Sequence, residues 1–283
     1  MADVWTVLKV LQWTAGYFRD RGIEGGRLDA ELLLSDTLQL DRVGLYLNYD
    51  RPLSAMELET FRAMVARRAK REPLQYIRGQ AEFWSLPFTV NPAVLIPRPD
   101  TEVLVEEALQ RLSGPGRILD VGTGSGAIAI AIAHERPEAR VEAVDLSPSA
   151  LAVARGNAEA NGVAERVTLS QGDLRQLQGA GYDLVVSNPP YIPSADLAAL
   201  MPEVREFEPL LALDGGADGL SAYRLLAAQA RALLKPGGWL LLEVGIGQAE
   251  AVTELLRAAG LVEIFTRADY AGVARVVGGQ SPG

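Results

Sequence analysis

The sequence predicts an α/β protein with an open, mostly parallel sheet. A small helical bundle precedes the sheet, and a linker containing a β-hairpin joins the two. Three observations predict this. From Arg117 onward, short apolar strand-like runs alternate with helical ones, the pattern of parallel strands joined by crossover helices. Residues 1–72 have apolar positions at helical spacing and no strand-like alternation. Between them, residues 73–100 hold Pro73, Pro87, Pro92, Pro97 and Pro99 among short β-prone runs. The expected division is therefore a helical domain over 1–72, a linker over 73–100 and a sheet domain over 101–283.

In the first piece, "AELLLSDTLQL" has helical periodicity, and "SAMELETFRAMVARRAKR" offers Ser54 as N-cap with Glu57 three residues on, a capping box. In the linker, "FWSLPFTV" reads as the hairpin, and Asp100 as the cap of a helix through "TEVLVEEALQRL". The sheet domain then reads strand "RILDV", helix "SGAIAIAIAHE", strand "VEAVD", helix "SPSALAVARGNAEANG", and strands "RVTLSQGD" and "YDLVVSN". Helix "GLSAYRLLAAQARALL", strand "GGWLLLEVG", helix "QAEAVTELLRAAG" and strands "LVEIFTR" and "VARVVGG" complete it. Ligands of such sheets bind at the carboxyl ends of the strands.

Composition removes several chemistries. With no cysteine and one histidine in 283 residues, disulfides, thiolate catalysis and Cys/His metal clusters are excluded, so no metal is expected. His134, near a helix end, is expected to be structural or superficial. No targeting segment or apolar run long enough to span a bilayer is evident, so a cytoplasmic protein without a membrane partner is expected. Residues 1–72 hold 11 basic and 11 acidic side chains, so the net charge of −9 lies in the remainder. That balance is the reverse of a duplex-DNA binder's. The basic cluster Arg67, Arg68, Lys70 and Arg71 is expected to be a solvated face at a helix end, with a nucleic-acid role as the alternative.

The chemistry concentrates in two motifs. "LDVGTGSGAIA" sets Gly122, Gly124 and Gly126 between a strand and a helix, with Asp145 ending the next strand 19 residues later. Glycines permit the tight turn and close approach of a ligand, and the acid can accept hydrogen bonds from ribose hydroxyls. The G-x-G-x-G spacing differs from the dinucleotide fingerprint, and Asp120 before it would repel a pyrophosphate. It suits instead a cofactor with a positive amino group and a sulfonium. This loop resembles the first motif of class I S-adenosylmethionine methyltransferases, with their Rossmann-like sheet. Gly172-Asp173 matches their acidic contact to adenine.

The second motif is "SNPPYIP", where Asn188, Pro189, Pro190 and Tyr191 end the strand expected beside the glycine-loop strand. It resembles the catalytic motif of methyltransferases acting on planar, sp²-attached nitrogens. Such an NH₂ is a poor nucleophile because its lone pair is delocalised. Two acceptors that hold its protons can aim the lone pair at the methyl carbon. The Asn188 oxygen supplies one and the Pro189 carbonyl, set by the rigid Pro-Pro backbone, the other. Tyr191 offers a flat packing surface. Positioning of this kind can recover about 7–11 kcal/mol of barrier, with no metal or strong base required. Two substrate classes remain possible at this point: a nucleobase amine or a glutamine or asparagine carboxamide.

Longer stretches carry a more specific resemblance. "KREPLQYIRG" (70–79), "EFWSLPFTVNPAVLIPRPDTE" (82–102), "LDVGTGSGAIAIA" (119–131), "VSNPPYIP" (186–193), "EPLLALDGGADGLSAYR" (208–224) and "LLLEVGIGQ" (240–248) are similar to the release factor glutamine methyltransferases over nearly the whole chain. The resemblance implies S-adenosyl-L-methionine as cofactor and peptide chain release factors as protein partner. The implied reaction is N5-methylation of the glutamine of their Gly-Gly-Gln motif. It further implies that Asn188, Pro189, Pro190 and Tyr191 hold the glutamine, and that Gly122, Thr123, Gly124, Ser125, Gly126, Asp145 and Asn188 touch the cofactor. Asp173 and Leu174 would flank the adenine, where Leu174 replaces the aromatic residue that members often carry. The tail contains its own Gly278-Gly279-Gln280, expected to be a frayed end rather than a substrate.

Overall fold

The computed structural model describes residues 4–112, 114–177 and 180–283. They form two compact units, one running through Gly79 and including Met201–Phe207, the other Gln80–Leu200 with Glu208–Gly283.

The first unit contains α1 (Val7–Arg19), α2 (Gly26–Leu38), α3 (Arg42–Leu47), α4 (Ala55–Ala69) and α5 (Leu74–Arg78). Its core joins Val7, Leu11, Phe18, Leu33, Leu34 and Phe61, the apolar positions read at helical spacing. α4 opens with the expected capping box, Ser54 accepting from the Glu57 N–H and Glu57 accepting from the Ser54 N–H. The basic cluster departs from expectation. Arg68 is buried, donating to Asp29 at 2.7 Å and to Glu203 at 3.0 Å, while Arg71 reaches the same Glu203 at 2.7 Å. Arg67 pairs with Glu72 at 2.8 Å. Three of the four cations are therefore used internally rather than offered to a polyanion. Losing one partner of such a buried pair costs about 3–5 kcal/mol.

The second unit begins with a hairpin, β1 (Gln80–Phe83) and β2 (Leu86–Thr89). Its two turn residues, Trp84 and Ser85, have φ of 55° and 56°, the left-handed pair of a I′-type turn. The expected linker is thus divided. Residues 73–79 join the helical core, while the hairpin is fastened to the sheet unit through Asn157, which accepts from Thr89 N–H at 2.7 Å and donates to its carbonyl. A short 3₁₀ turn, Pro99–Thr101, leads into α6 (Glu102–Arg111). Asp100 does not cap this helix; Thr101 holds that position, and Asp100 instead pairs with Arg275 at 2.7 Å.

The sheet comprises β3 (Arg117–Val121), β4 (Arg140–Asp145), β5 (Val167–Gln171), β6 (Tyr182–Ser187), β7 (Leu234–Glu243), β8 (Val262–Ala268) and β9 (Ala274–Gln280). Its order is β5-β4-β3-β6-β7-β9-β8. β5 through β7 are parallel; β9 runs antiparallel between β7 and β8. The helices are α7 (Ala127–Glu135), α8 (Pro148–Ala160), α10 (Ser221–Leu233) and α11 (Ala249–Ala258); α9 (Pro202–Phe207) belongs to the first unit. β3 lies beside β6, as the placement of Asn188 required.

The tail is not frayed. Gly278 and Gly279 sit mid-sheet because they must: a Cβ on Gly278 would fall 2.3 Å from Phe265 and 2.6 Å from Leu241. Gln280 pairs with Trp239 and donates to the Gly237 carbonyl at 2.9 Å. That is four residues, roughly 13 Å, back along β7 from Glu243 at its carboxyl end. His134 lies exposed in the last turn of α7. Among the described residues no helix is long and apolar enough to cross a membrane, and no acidic or histidine cluster could hold a metal.

Candidate active site

The carboxyl ends of β3, β4 and β5 form one half of a cavity of about 490 Å³. After β3 the chain turns through Gly122, Gly124 and Gly126 with φ of 74°, 57° and 84°, values that favour glycine. Gly126 has a second reason: a Cβ there would sit 2.8 Å from Ile130 Cδ1. The turn is pinned to the next strand, since Gly122 and Thr123 N–H both donate to the Val144 carbonyl, at 2.8 and 3.0 Å. Asp145 accepts from Gly124 N–H at 2.8 Å on one oxygen and from Ser147 N–H at 2.9 Å on the other. Beneath the turn, Asp120 is fully buried and accepts from the Thr123 hydroxyl at 2.6 Å. Burial pushes its pKa up to about 7; Asp145 adds to the rise, and the Thr123 hydroxyl and Ala129 N–H oppose it.

Gly122, Gly124, Asp145, Asp173, Leu174, Asn188 and Pro190 all line this cavity. Thr123 and Ser125 are buried inside the turn, where Thr123 serves Asp120 and the Ser125 carbonyl accepts from Asn157 at 2.9 Å. Asp173 accepts from Arg175 N–H at 2.8 Å, and Leu174 is held by Gln229 donating to its carbonyl at 2.6 Å. These residues fit an adenosylated cation. The buried Asp120 Oδ1 has no protein partner, and a carboxylate oxygen in that state is best satisfied by positive charge.

The other side is lined by Asn188 and Pro190 beyond β6, by the 209–214 segment and by the start of α10. The buried Ser187 hydroxyl donates to the Val121 carbonyl at 2.6 Å, locking the ends of β6 and β3 together. Asn188 follows, its Nδ2 donating to Thr101 Oγ1 at 3.2 Å. Pro189 is buried, and among the described residues no hydrogen bond reaches its carbonyl. The segment beyond is clamped in turn. Ile192 N–H donates to the Leu213 carbonyl at 3.0 Å and Gly215 N–H to the Ile192 carbonyl at 2.8 Å. A Cβ on Gly219 would fall 2.4 Å from the Tyr191 carbonyl oxygen, and one on Gly215 2.8 Å from Tyr191 backbone. That is why "LDGGADG" is rich in glycine. Tyr191 packs partly buried against the sheet core, its carbonyl taking a bond from Gln248 Nε2 at 2.8 Å. Burial pushes its phenol up to about 12, so it is neutral.

Three side chains here escape a reading by motif: Thr101, Gln248 and Glu243. Glu243 ends β7, is 2% exposed, and has the Thr101 hydroxyl and the Asn188 amide nearby as donors that favour its carboxylate. Its signal in the sequence is one acid closing the apolar run "WLLLE", since a lone buried carboxyl is costly unless used.

The chain is similar to known proteins over nearly its whole length. Residues 9–79 match the model of the PrmC N-terminal domain and residues 99–202 that of the methyltransferase small domain. The release factor glutamine methyltransferase of Geobacter sulfurreducens is 56% identical over 279 residues, covering 98% of each chain. That of Moorella thermoacetica is 52% identical over 242 residues, covering 84% of this chain and 85% of its own. A solved methyltransferase from Pyrococcus furiosus shares the fold, with a TM-score of 0.52 at 19% identity over 70% of this chain and 89% of that one.

Proposed function

The chain belongs to the release factor glutamine methyltransferases, S-adenosylmethionine-dependent enzymes that methylate a glutamine side-chain nitrogen, and from that premise we propose how its residues divide the work. The acceptor is the glutamine of the Gly-Gly-Gln motif of a release factor, met in the cytoplasm. The observation that carries the assignment is the position of Asn188, at the end of β6 between the glycine turn of β3 and Glu243 of β7.

When bound, S-adenosylmethionine supplies an electrophilic methyl carbon on a sulfonium. Gly122 and Gly124 would admit it to the backbone, Asp145 would accept from its ribose hydroxyls, and Asp173 and Leu174 would hold its adenine. Thr123, Ser125 and Gly126 keep the turn in shape, and Asp120 beneath it favours the positive amino group. Asn188 Oδ1 and the Pro189 carbonyl accept the two protons of the glutamine NH₂, which turns the nitrogen lone pair toward the methyl carbon. Pro190 fixes the direction of that carbonyl, and Tyr191, held by Gln248, packs beside the amide plane. During methyl transfer the two acceptors would stabilise positive charge growing on the glutamine nitrogen. One proton then leaves to solvent.

Radiolabelled methyl transfer to a purified release factor, to its Gln→Ala variant and to DNA tests the assignment. Label is expected in the first alone; label in DNA and not in the release factor would overturn it. N188A is expected to lose turnover at least 100-fold while S-adenosylhomocysteine affinity stays within a few-fold.

A further inference from the structure

An asparagine amide is nearly symmetric in shape, yet only its oxygen is useful to an incoming NH₂. Turning it over exchanges an acceptor for a donor at almost no steric cost. Something beside Asn188 must therefore break the tie, and its surroundings offer one arrangement that does. Asn188 Nδ2 stands 3.2 Å from Thr101 Oγ1. A threonine hydroxyl has one hydrogen, and an ionised carboxylate can only accept. With Glu243 ionised, the Thr101 hydrogen is drawn to the carboxylate, so the face of the hydroxyl toward Asn188 is a lone pair. Only the amide NH₂ satisfies that face, and Oδ1 is left pointing the other way, at the acceptor.

Resting on the reading of Asn188 given above, we infer that Glu243 and Thr101 are positioning residues that fix the orientation of the Asn188 amide. The charge of the Glu243 carboxylate is the element that sets it. A protonated Glu243 becomes a donor, the Thr101 hydrogen is released to turn toward Asn188, and the flipped amide is satisfied equally well. Its NH₂ would then face the substrate NH₂, donors against donors.

The charged and titratable surroundings of Glu243 place this change within reach. Arg275, which also holds Asp100 at 2.7 Å and Asp269 at 3.1 Å, favours the carboxylate, as do the Thr101 and Asn188 donors. Burial, the largest influence, and Asp100 favour the acid, and the balance lies at about 7. The phenols of Tyr191 and Tyr223 also face it, both raised by burial and so neutral. No second role competes for the Glu243 carboxyl. Its Oε2 has no protein partner, and Tyr223 bonds the Glu243 backbone carbonyl, at 3.0 Å, rather than the carboxyl.

The test is kcat and KM for methylation of a purified release factor across pH 6–9. Wild type, E243Q, T101V, T101S and N188A are compared, with S-adenosylhomocysteine affinity by calorimetry as the check on folding. Wild-type kcat is expected to rise with pH to a plateau, with its midpoint near 7. E243Q should lose about ten-fold in kcat at the plateau and lose the rise, with cofactor-product affinity and KM little changed. T101V should lose a similar factor, and T101S should recover most of what T101V loses. An E243Q enzyme with wild-type kcat and pH profile, beside an inactive N188A, would overturn the relay and leave the site reading standing. An active N188A would overturn the site reading itself. Should E243Q fail to bind the cofactor product, the threonine pair decides: T101V as active as wild type refutes the relay.

Discussion

Two strands flank β6, and each ends in or near a buried acid. On β3, Asp120 lies beneath the glycine turn; on β7, Glu243 lies beside Asn188. Burial pushes both up to about 7. Their partners differ. Asp120 accepts from the hydroxyl of the turn it supports, is repelled by Asp145 and has an unmatched oxygen, so it holds its proton until a cation comes near. Glu243 already has a cation near, Arg275, and its donors lead through Thr101 to the amide of Asn188. In the proposed reading one carboxyl serves the binding of the methyl donor and the other the geometry of the acceptor. The same physical state, a desolvated acid, is put to two uses by what stands beside it.

The sharpest way to break that comparison is to neutralise each acid alone. D120N should weaken S-adenosylhomocysteine binding by ten-fold or more, about 1.4 kcal/mol, measured by calorimetry, because the unmatched charge under the turn is removed. Its kcat at saturating cofactor should fall much less. E243Q should do the reverse, losing turnover while keeping its hold on the cofactor product. Equal effects of both variants on cofactor affinity and on kcat would show that the two acids form one electrostatic unit.

Much of this is legible in the sequence, and the illegible part has a common cause. Every strand of the sheet follows from local periodicity, and the capping box at Ser54 from a four-residue pattern. The glycine turn and Asn188 announce themselves by residue types that only special backbone or chemistry requires. The expectations that fail all involve partners far apart in sequence. Asp100 reads as a helix cap because Arg275 is invisible from position 100. Arg68 reads as solvated because Glu203, which buries its charge, is 135 residues away. The tail reads as frayed because glycine runs usually are, whereas here Phe265 and Leu241 leave no room for a side chain. Glu243 becomes meaningful only once the sheet order sets β7 beside β6.

A second contrast should appear in stability against pH. Both acids have folded-state pKa values above their ordinary ones. Between about pH 4 and 7 the unfolded chain has released these protons while the folded chain retains them. Their stabilising contribution is therefore complete at low pH and is lost as pH rises through about 7, at up to about 1.4 kcal/mol per pH unit for each group. The cofactor-free protein, followed by denaturant titration between pH 5 and 8, should lose stability over this range. D120N and E243Q should each flatten the slope by a similar amount. Saturating S-adenosylhomocysteine should remove the Asp120 share alone, since the proposed reading pairs its amino group with Asp120 and not with Glu243. A slope that the cofactor product abolishes in full would erase the distinction between the two acids.

The smallest effect sharpens the comparison from the cofactor side. Leu174 lines the cavity half-buried, on a 3₁₀ turn whose carbonyl is held by Gln229. An aromatic ring there would offer a flat face to the adenine where leucine offers branched methyls, a gain of about 0.5–1.5 kcal/mol for well-stacked rings. The L174F variant should accordingly tighten S-adenosylhomocysteine binding by about two- to ten-fold in calorimetry. Position 174 follows β5, at the far side of β3 and β4 from β6 and β7, and shares no bond with Thr101, Asn188 or Glu243. The pH midpoint of kcat should therefore be unmoved even as affinity improves. A shifted midpoint would mean that adenine packing reaches the carboxyl of β7, and that the two halves of the site are not independent.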